Sequence, residues 1–289
     1  KIKKGLDINL KGKASDVLLN GGKSDSYAIV PDYYNGIVPK VVAKVGEKVK
    51  AGSVLMIDKN RPEIKFVSPV SGEVTAVNRG EKRKVLSVVV KPEAQIDYED
   101  FGKKNVASLK REEVKEAIQH AGMWPFIKQR PYDIVASPAD EPRDIFVSAF
   151  YSAPLAPNFD FILKGQEADF QTGLDALAKL TDGKVYVGIR KGSSVSAKGV
   201  ETVEVEGPHP AANVGVQINH IKPVNKGEVV WTVNPADVIV IGRLFNKGIA
   251  DFSRLVVITG SETTERGYVK AIAGCTIGSL VDGKIMRGN

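Results

Sequence analysis

Two related stretches decide the fold of the first hundred residues: Lys40-Val-Val-Ala-Lys-Val45-Gly46-Glu-Lys-Val49-Lys-Ala-Gly52-Ser-Val54-Leu55 and Ser68-Pro69-Val70-Ser71-Gly72-Glu-Val74-Thr-Ala-Val77-Asn-Arg-Gly80. Each alternates apolar and polar residues, which is the period of a β-strand with one buried face. Each also breaks at glycines, which adopt turn conformations that a branched residue resists. The repeat therefore predicts two short sheets folded over each other.

This pair of half-motifs resembles the lipoyl/biotinyl barrel-sandwich hybrid, whose pattern is Val-Gly-x-x-Val-x-x-Gly-x-x-Leu followed by a Pro-x-x-Gly-x-Val turn and strand. In carriers of that family the modified lysine lies on a hairpin tip between the two halves, flanked by small or apolar residues. Here residues 58–65 are largely charged and include Pro62. We therefore expect Lys59 to be an ordinary turn lysine and not an attachment point for lipoate or biotin.

Composition and charge place the chain among globular proteins of about two domains. It has 289 residues, 43% of them hydrophobic, and no run of the ~18 apolar residues that cross a bilayer.

Residues 1–130 contain 25 Lys and Arg against 16 Asp and Glu, while the whole chain carries +7, so the basic excess is N-terminal. Because aromatics and a recognition helix are missing among these charges, they do not indicate nucleic-acid binding. Solvated lysines, docking to an acidic partner and docking to an anionic membrane surface stay open.

The chain has one cysteine, Cys275, and three histidines, His120, His209 and His220. A single thiol excludes a disulfide within the chain and a four-cysteine zinc or iron–sulfur site. The histidines show no metal-ligand spacing. We predict no metal site, and a reducing cytoplasm fits this cysteine usage.

From about Arg130 onward, apolar strands alternate with helices. Strands are predicted at 145–150, 185–189, 203–205 and 229–233, and helices at 169–180 and after Asn234-Pro235. A short amphipathic helix with Ser108 as N-cap and Gly122 as stop precedes this region. The alternation predicts a Rossmann-like α/β domain with a mainly parallel sheet.

We therefore predict a multi-domain α/β protein of three units. These are a barrel-sandwich hybrid with an N-terminal extension (1–100), a Rossmann-like α/β domain with a leading helix (101–253), and the start of a β-grasp module of the soluble-ligand-binding type (254–289). The last unit has no room to close before Asn289, and the chain starts at Lys1. We expect a form shortened at its C-terminus.

Motifs that cradle phosphates are missing. There is no Gly-x-Gly-x-x-Gly after a strand and no Gly-x-x-x-x-Gly-Lys followed by Ser or Thr, and hydrolase and zinc-protease signatures are missing too. The turn Lys191-Gly192-Ser193-Ser194 follows a strand and offers backbone N–H groups to an anion, although polar surface turns of this composition are common.

The order of the three units resembles the A subunits of the Na+-translocating NADH:quinone oxidoreductases, over essentially the whole chain. More distant resemblances are the C subunit of the Rnf ferredoxin:NAD oxidoreductase and the nucleotide-binding subunit of complex I. The resemblance rests on Ile2-Lys3-Lys4-Gly5-Leu6-Asp7, Asn78-Arg79-Gly80-Glu81-Lys82-Arg83, Gly122-Met-Trp124 with Arg130-Pro131, and Gly207-Pro208-His209-Pro210 with Asn213-Val-Gly215. The distant relatives bind flavin and NADH through a Gly-rich loop and iron–sulfur clusters through cysteines. This chain has neither feature.

The resemblance implies a peripheral subunit on the cytoplasmic side of the bacterial inner membrane, docked on the other subunits of the complex. We expect no cofactor in this chain, and FMN, riboflavin, FAD and iron–sulfur centres in partner subunits. The chain is then an enzyme only as part of a sodium-pumping NADH:ubiquinone reductase. Its own role is assembly, with contact to ubiquinone or menaquinone as a further candidate.

A quinone head group needs an apolar slot with one or two hydrogen-bond donors. Trp124, Phe126, Arg130 and Tyr132 are close together in the sequence and supply both, and His209 lies between two prolines. These five residues are the candidate quinone contacts. The competing interpretation is that the aromatic residues fill the junction between helix and α/β domain and that His209 is a rigid turn residue.

Two alternatives from other classes remain open at this point. The first is a Rossmann-like oxidoreductase domain that binds NADH or FMN itself through the turn at 191–194. The second is an active acyl or biotin carrier modified at Lys59.

Overall fold

The computed structural model describes residues 1–286, which form sixteen strands and six α-helices. The strands are β1 (Leu18–Leu19), β2 (Tyr27–Ile29), β3 (Pro39–Val41), β4 (Lys48–Val49), β5 (Val54–Asp58), β6 (Lys65–Val67), β7 (Gly72–Arg79), β8 (Val85–Pro92), β9 (Lys128–Arg130), β10 (Ile134–Val135), β11 (Ile145–Ser148), β12 (Val185–Arg190), β13 (Glu201–Val205), β14 (Val230–Thr232), β15 (Ser253–Ile258) and β16 (Gly267–Ile272). The helices are α1 (Arg111–His120), α2 (Phe159–Leu163), α3 (Glu167–Lys179), α4 (Val214–Ile221), α5 (Pro235–Lys247) and α6 (Gly278–Val281).

The barrel-sandwich hybrid predicted from the two half-motifs is confirmed. One sheet has the order β2-β8-β7-β4 and the other β3-β5-β6, and all neighbouring strands are antiparallel. Leu55, Val74 and Val88 belong to the core and are fully buried. Gly72 is needed where β7 passes β8, because a Cβ at this position would lie 1.9 Å from the carbonyl oxygen of Lys91.

The predicted α/β domain is also confirmed, with one six-stranded sheet in the order β10-β9-β14-β11-β12-β13. Strands β14, β11, β12 and β13 are parallel, while β9 and β10 are antiparallel to their neighbours. Side chains alternate between the faces: Val147 of β11 shares a core with Leu174 of α3 and Ile241 of α5, whereas Phe146 packs with Ile218 of α4. The sheet therefore has helices on both faces.

The third sheet joins the two ends of the described chain. Strands β15 and β16 form an antiparallel pair, and β1 adds parallel to β16 with Leu18 opposite Tyr268. The predicted N-terminal extension therefore packs on the other two units: besides β1, the Ile2 N–H donates to the Glu206 carbonyl (2.7 Å). Residues 287–289 of the predicted β-grasp module lie outside the described residues.

The barrel and the α/β domain share one continuous core. Gly122, which follows α1, approaches β6 so closely that a Cβ would lie 2.6 Å from the side chain of Val67. Across residues 1–286, no helix has the length and apolar character needed to span a bilayer.

Candidate functional site

The order of the parallel strands creates a crevice at one edge of the α/β sheet. From β11 the chain proceeds to β12 and β13 on one side, whereas β14 lies on the other side of β11. Open α/β sheets bind ligands beyond the carboxyl ends of their strands at such a reversal. A cavity of about 480 Å³ lies there, lined by Ser148 at the end of β11 and Thr232 at the end of β14. We call it the switch-point cavity.

Three segments that are distant in sequence supply aromatic walls to the switch-point cavity. Tyr34 comes from the barrel, Phe126 from the segment after α1, and Tyr151 from the loop after β11. Polar and charged side chains complete the lining, namely Lys128, Arg130, Asp133, Asn234, Asp237 and Arg254. The cavity thus combines flat apolar surfaces with several hydrogen-bonding groups.

The N-terminus of α5 also faces this cavity, and its donors are already used. Asn234 caps the helix by accepting a hydrogen bond from the Ala236 N–H (3.0 Å), Pro235 has no N–H, and Asp237 lies in the first turn. Helix N-termini attract phosphate groups through free N–H groups and the helix dipole. Here a carboxylate of the chain occupies that favourable position.

Asp237 is held by neighbouring cations. Its Oδ1 accepts a hydrogen bond from Arg254 Nη2 at 3.0 Å. Burial raises the pKa of Asp237, and Arg254 and Lys128 oppose this rise without cancelling it. Burial lowers the pKa of Lys128, while Asp133 and Asp237 act in the opposite direction. The charges of the cavity are therefore coupled through Asp237.

The Tyr34 hydroxyl and incompletely used guanidinium groups remain available as donors. Burial, and then the charge of Asp237, raises the pKa of both Tyr34 and Tyr151 to about 12. The Tyr151 hydroxyl already donates to Asn234 Oδ1 (3.3 Å). Among the described residues, the buried Nε atoms of Arg130 and Arg254 have no hydrogen-bond partner, although Arg130 Nε lies 3.6 Å from Asp133 Oδ1.

The structure places two of the five predicted quinone contacts in the switch-point cavity and three outside it. Phe126 and Arg130 line the switch-point cavity. Trp124 is fully buried, its indole N–H donates to the Ala136 carbonyl (2.9 Å), and its ring packs against Trp231 with centroids 5.4 Å apart. Tyr132 is 79% exposed. Trp124 is therefore a core residue and Tyr132 a surface residue, and neither lines the cavity.

His209 lies elsewhere, against the N-terminal segment. Its Nδ1 is 3.1 Å from the Ser152 hydroxyl, and its backbone N–H donates to Asp7 Oδ1 (2.8 Å). Asp7 and Ser152 line a second cavity, of about 640 Å³, between that segment and the loop after β11. His209 is not part of the predicted cluster.

Sequence reasoning missed Tyr34, Tyr151, Asp237 and Arg254. Asp237 had a usable signal, because Asn234-Pro235 predicts the start of a helix and therefore places Asp237 in its first turn. The other three residues carry no local pattern that would connect them.

The anion cradle considered for the turn at 191–194 is occupied by the chain itself. The Ser194 N–H donates to Asp160 Oδ1 (2.7 Å), and the hydroxyls of Ser193 (2.9 Å) and Ser194 (2.7 Å) donate to the same oxygen. These hydrogen bonds lower the pKa of Asp160, against the effect of its burial. A bound phosphate would have to displace this carboxylate.

The hairpin tip that bears the carrier lysine in other proteins is fastened down. Asp58 is buried and accepts from Arg61 Nε (2.8 Å), and Arg61 also donates to the carbonyls of Val135 (3.2 Å) and Gly36 (2.7 Å). These bonds tie the tip to the α/β domain, so Lys59 cannot swing with it. In residues 1–286 no three His, Cys, Asp or Glu side chains are grouped to hold a metal ion.

Comparison with known proteins gives consistent matches along the chain. A family model described as the NqrA N-terminal barrel-sandwich hybrid domain matches residues 1–93, and one described as the NqrA second alpha/beta domain matches residues 109–250. The A subunit of the Na+-translocating NADH-quinone reductase of Neisseria meningitidis is 35% identical over 291 residues, and that of Vibrio atlanticus is 37% identical over 292 residues. Each alignment covers 99% of this chain and 65% of the relative.

The chain therefore spans about two thirds of the length of these relatives. A solved structure of an NAD+-reducing NiFe hydrogenase in the air-oxidized state is similar with a TM-score of 0.41 and 10% identity, covering 66% of this chain and 45% of that chain. This similarity is too low to support a functional argument. The two family models and the identity along the whole chain show that it belongs to the NqrA family, the A subunits of Na+-translocating NADH-quinone reductases.

Proposed function

We propose that the chain is a peripheral, cofactor-free subunit of a sodium-pumping NADH:quinone reductase and that it receives a quinone head group in the switch-point cavity. Its partners are the other subunits of the complex, which carry FMN, riboflavin, FAD and iron–sulfur centres. Its place is the cytoplasmic side of the bacterial inner membrane. It contributes docking and quinone contact, and the redox chemistry belongs to its partners.

The observation that carries the quinone part is the composition of the switch-point cavity. A quinone head is an uncharged ring with two carbonyl acceptors. Phe126 and the rings of Tyr34 and Tyr151 offer flat apolar contact, while the Tyr34 hydroxyl and the Arg130 guanidinium offer donors. Because both tyrosines have a pKa near 12, their hydroxyls keep their protons at physiological pH.

The N-terminus of α5, where a nucleotide would place its phosphate, is unsuited to one. The Asp237 side chain already occupies the first turn of α5, and the Asn234 cap and Pro235 reduce the number of free N–H groups there. The carboxylate of Asp160 already fills the turn at 191–194. Both observations support an uncharged ligand over NADH or FMN.

The quinone part is tested by labelling the intact complex with a photoreactive quinone and mapping the labelled peptides. We expect label on the peptides that carry Phe126 or Tyr151. Arg130→Gln should reduce labelling by at least about tenfold, since a hydrogen bond to a charged group contributes about 1.5–3 kcal/mol. Tyr132→Phe, a neighbouring change on an exposed side chain, is the matched control and should label normally. Label confined to other subunits would refute the quinone contact and leave the docking role.

The cofactor-free part is tested on the isolated chain. We expect no flavin absorbance and no saturable change in protein fluorescence on titration with NADH or FMN. Stoichiometric flavin, or saturable binding at micromolar ligand, would establish the nucleotide-binding alternative in its place.

A further inference from the structure

Residues 3–13, which we call the N-terminal strap, cross the surface without regular secondary structure but are fastened at both ends. The Leu6 N–H donates to the His209 carbonyl (2.9 Å), and a Cβ at Gly5 would lie 2.1 Å from that carbonyl oxygen. At the other end the Gly260 N–H donates to the Gly12 carbonyl (2.9 Å), and a Cβ at Gly12 would lie 2.2 Å from Gly260. Backbone contacts that only glycine permits therefore hold the strap in place.

The aliphatic side chains of the strap are largely exposed, and Ile8 and Leu10 also line the second cavity. Leu6 is 70% exposed, and Ile8 and Leu10 are each 55% exposed. The intervening Asp7 faces the protein, because its carboxylate accepts the His209 N–H. Three large apolar side chains displayed on a fastened segment are costly to leave in water, and such a cluster marks a contact surface.

Lysines surround these aliphatic side chains. Lys3, Lys4, Lys11 and Lys13 are all exposed, and none of them has an ion pair or a hydrogen-bonded side-chain partner within residues 1–286. Asp7 is the only acidic residue of the strap, and its carboxylate is engaged. The strap is therefore strongly basic as well as apolar.

This combination fits an anionic lipid surface. Aliphatic side chains enter the boundary between head groups and acyl chains, while lysines stay beside the lipid phosphates. Lysine is a hydrated point charge on a flexible stem, which suits a fluid array of phosphates better than the fixed geometry of a carboxylate-bearing protein groove. The flexible lysine side chains thus favour lipid over an acidic protein.

We propose that the N-terminal strap is a lipid-binding element that docks this chain on an anionic membrane through its three exposed aliphatic side chains and four unpaired lysines. The inference deepens the peripheral docking role proposed above and rests on it for its biological meaning. Its main test uses the isolated chain, and a second readout asks whether strap variants still join the other subunits.

The test is co-sedimentation of the 289-residue chain with vesicles. Phosphatidylcholine vesicles containing phosphatidylglycerol should bind the chain, and pure phosphatidylcholine vesicles should not. Raising the salt concentration should weaken binding, because the Debye length shortens. The double substitution Lys3→Gln/Lys4→Gln should lower the partition coefficient by about fivefold per lysine, and Ile8→Ser should lower it without any change of charge.

The matched controls lie in the barrel, one at the tip between β7 and β8 and one between β3 and β4. Lys82→Gln/Arg83→Gln removes two charges from exposed residues outside the strap, and Val45→Ser removes a valine that is 61% exposed. Both variants should bind vesicles as the unaltered chain does. Circular dichroism and thermal unfolding establish that every variant is folded.

Equal binding to neutral and anionic vesicles, no binding at all, or equal losses in the strap and control variants would overturn the inference. Strap variants that bind vesicles normally but fail to join the other subunits would show a protein partner, and would overturn it as well. The quinone-labelling experiment fails or succeeds separately, because it depends on the switch-point cavity.

Discussion

Replacement of Gly242 by alanine is the sharpest test of the packing that shapes the cavity. Gly173 of α3 and Gly242 of α5 each lie directly against the backbone of the other helix. A Cβ at Gly242 would lie 1.7 Å from the Asp169 carbonyl oxygen, and a Cβ at Gly173 would lie 2.1 Å from the Val238 carbonyl oxygen. These obstacles are backbone atoms that cannot rotate away, so an added methyl group must push the helices apart.

Two opposing contributions set the size of the effect. Helix propensity alone favours alanine over glycine by about 1 kcal/mol in a helix interior. Overpacking in a filled core costs about 1–3 kcal/mol, and we expect the upper end because the clash is with backbone. Gly242→Ala should therefore lower the free energy of unfolding by about 2 kcal/mol. Gly215→Ala in α4 is the matched control, since the nearest atom to its Cβ is Arg130 Nη1 at 4.0 Å.

The measurement is urea unfolding followed by tryptophan fluorescence, with both variants beside the unaltered chain. Gly242→Ala should shift the midpoint to lower urea. Gly215→Ala should leave the midpoint unchanged or raise the free energy of unfolding by up to about 1 kcal/mol. Because α5 carries Asp237 into the switch-point cavity, the first variant should also weaken quinone labelling. A Gly242→Ala chain as stable as the unaltered one would show that the two helices are not packed at this distance.

Three further outcomes are expected. Arg61→Ala should lower the free energy of unfolding by about 3 kcal/mol in the same urea assay, because the buried Asp58 carboxylate loses its charged partner. Lys59→Gln on the same tip should change the free energy of unfolding by less than about 0.5 kcal/mol. Burial by itself raises the pKa of Asp144, but hydrogen bonds from two cationic side chains and a backbone N–H outweigh it and lower the pKa. This stabilisation is present above the unfolded pKa near 4 and is lost as pH falls through the folded pKa, so Asp144→Asn should flatten the loss of stability below about pH 4. In an ultraviolet titration, Tyr34→Phe and Tyr151→Phe should each remove phenolate absorbance that develops near pH 12, and loss of amplitude near pH 10 would contradict the burial of these hydroxyls.

Local pattern predicted some element boundaries well and others poorly. Asn234-Pro235 opens α5 as expected, with the Asn234 side chain as its cap. Ser108, in contrast, does not begin α1. The Asn105 side chain accepts the Ala107 N–H and closes a separate turn of 3-10 helix there, and α1 begins at Arg111 with Glu113 accepting the Lys110 N–H (2.7 Å). Two nearby capping groups, Asn105 and Glu113, compete to begin a helix in this segment. Which of them caps α1 depends on how the segment packs.

By itself, the sequence determined the barrel-sandwich hybrid and the parallel α/β sheet, because strand periodicity, glycine turns and helix caps act within a few residues of one another. It also excluded a four-cysteine cluster, since one thiol cannot supply it. Only the tertiary structure decided which side chains share a site. Trp124 is close to Arg130 in sequence yet lies in the core, whereas Tyr34 and Asp237, about two hundred residues apart, line the same cavity. Periodicity reports whether a residue is buried, but the strand order and the docking of the barrel decide what it is buried against.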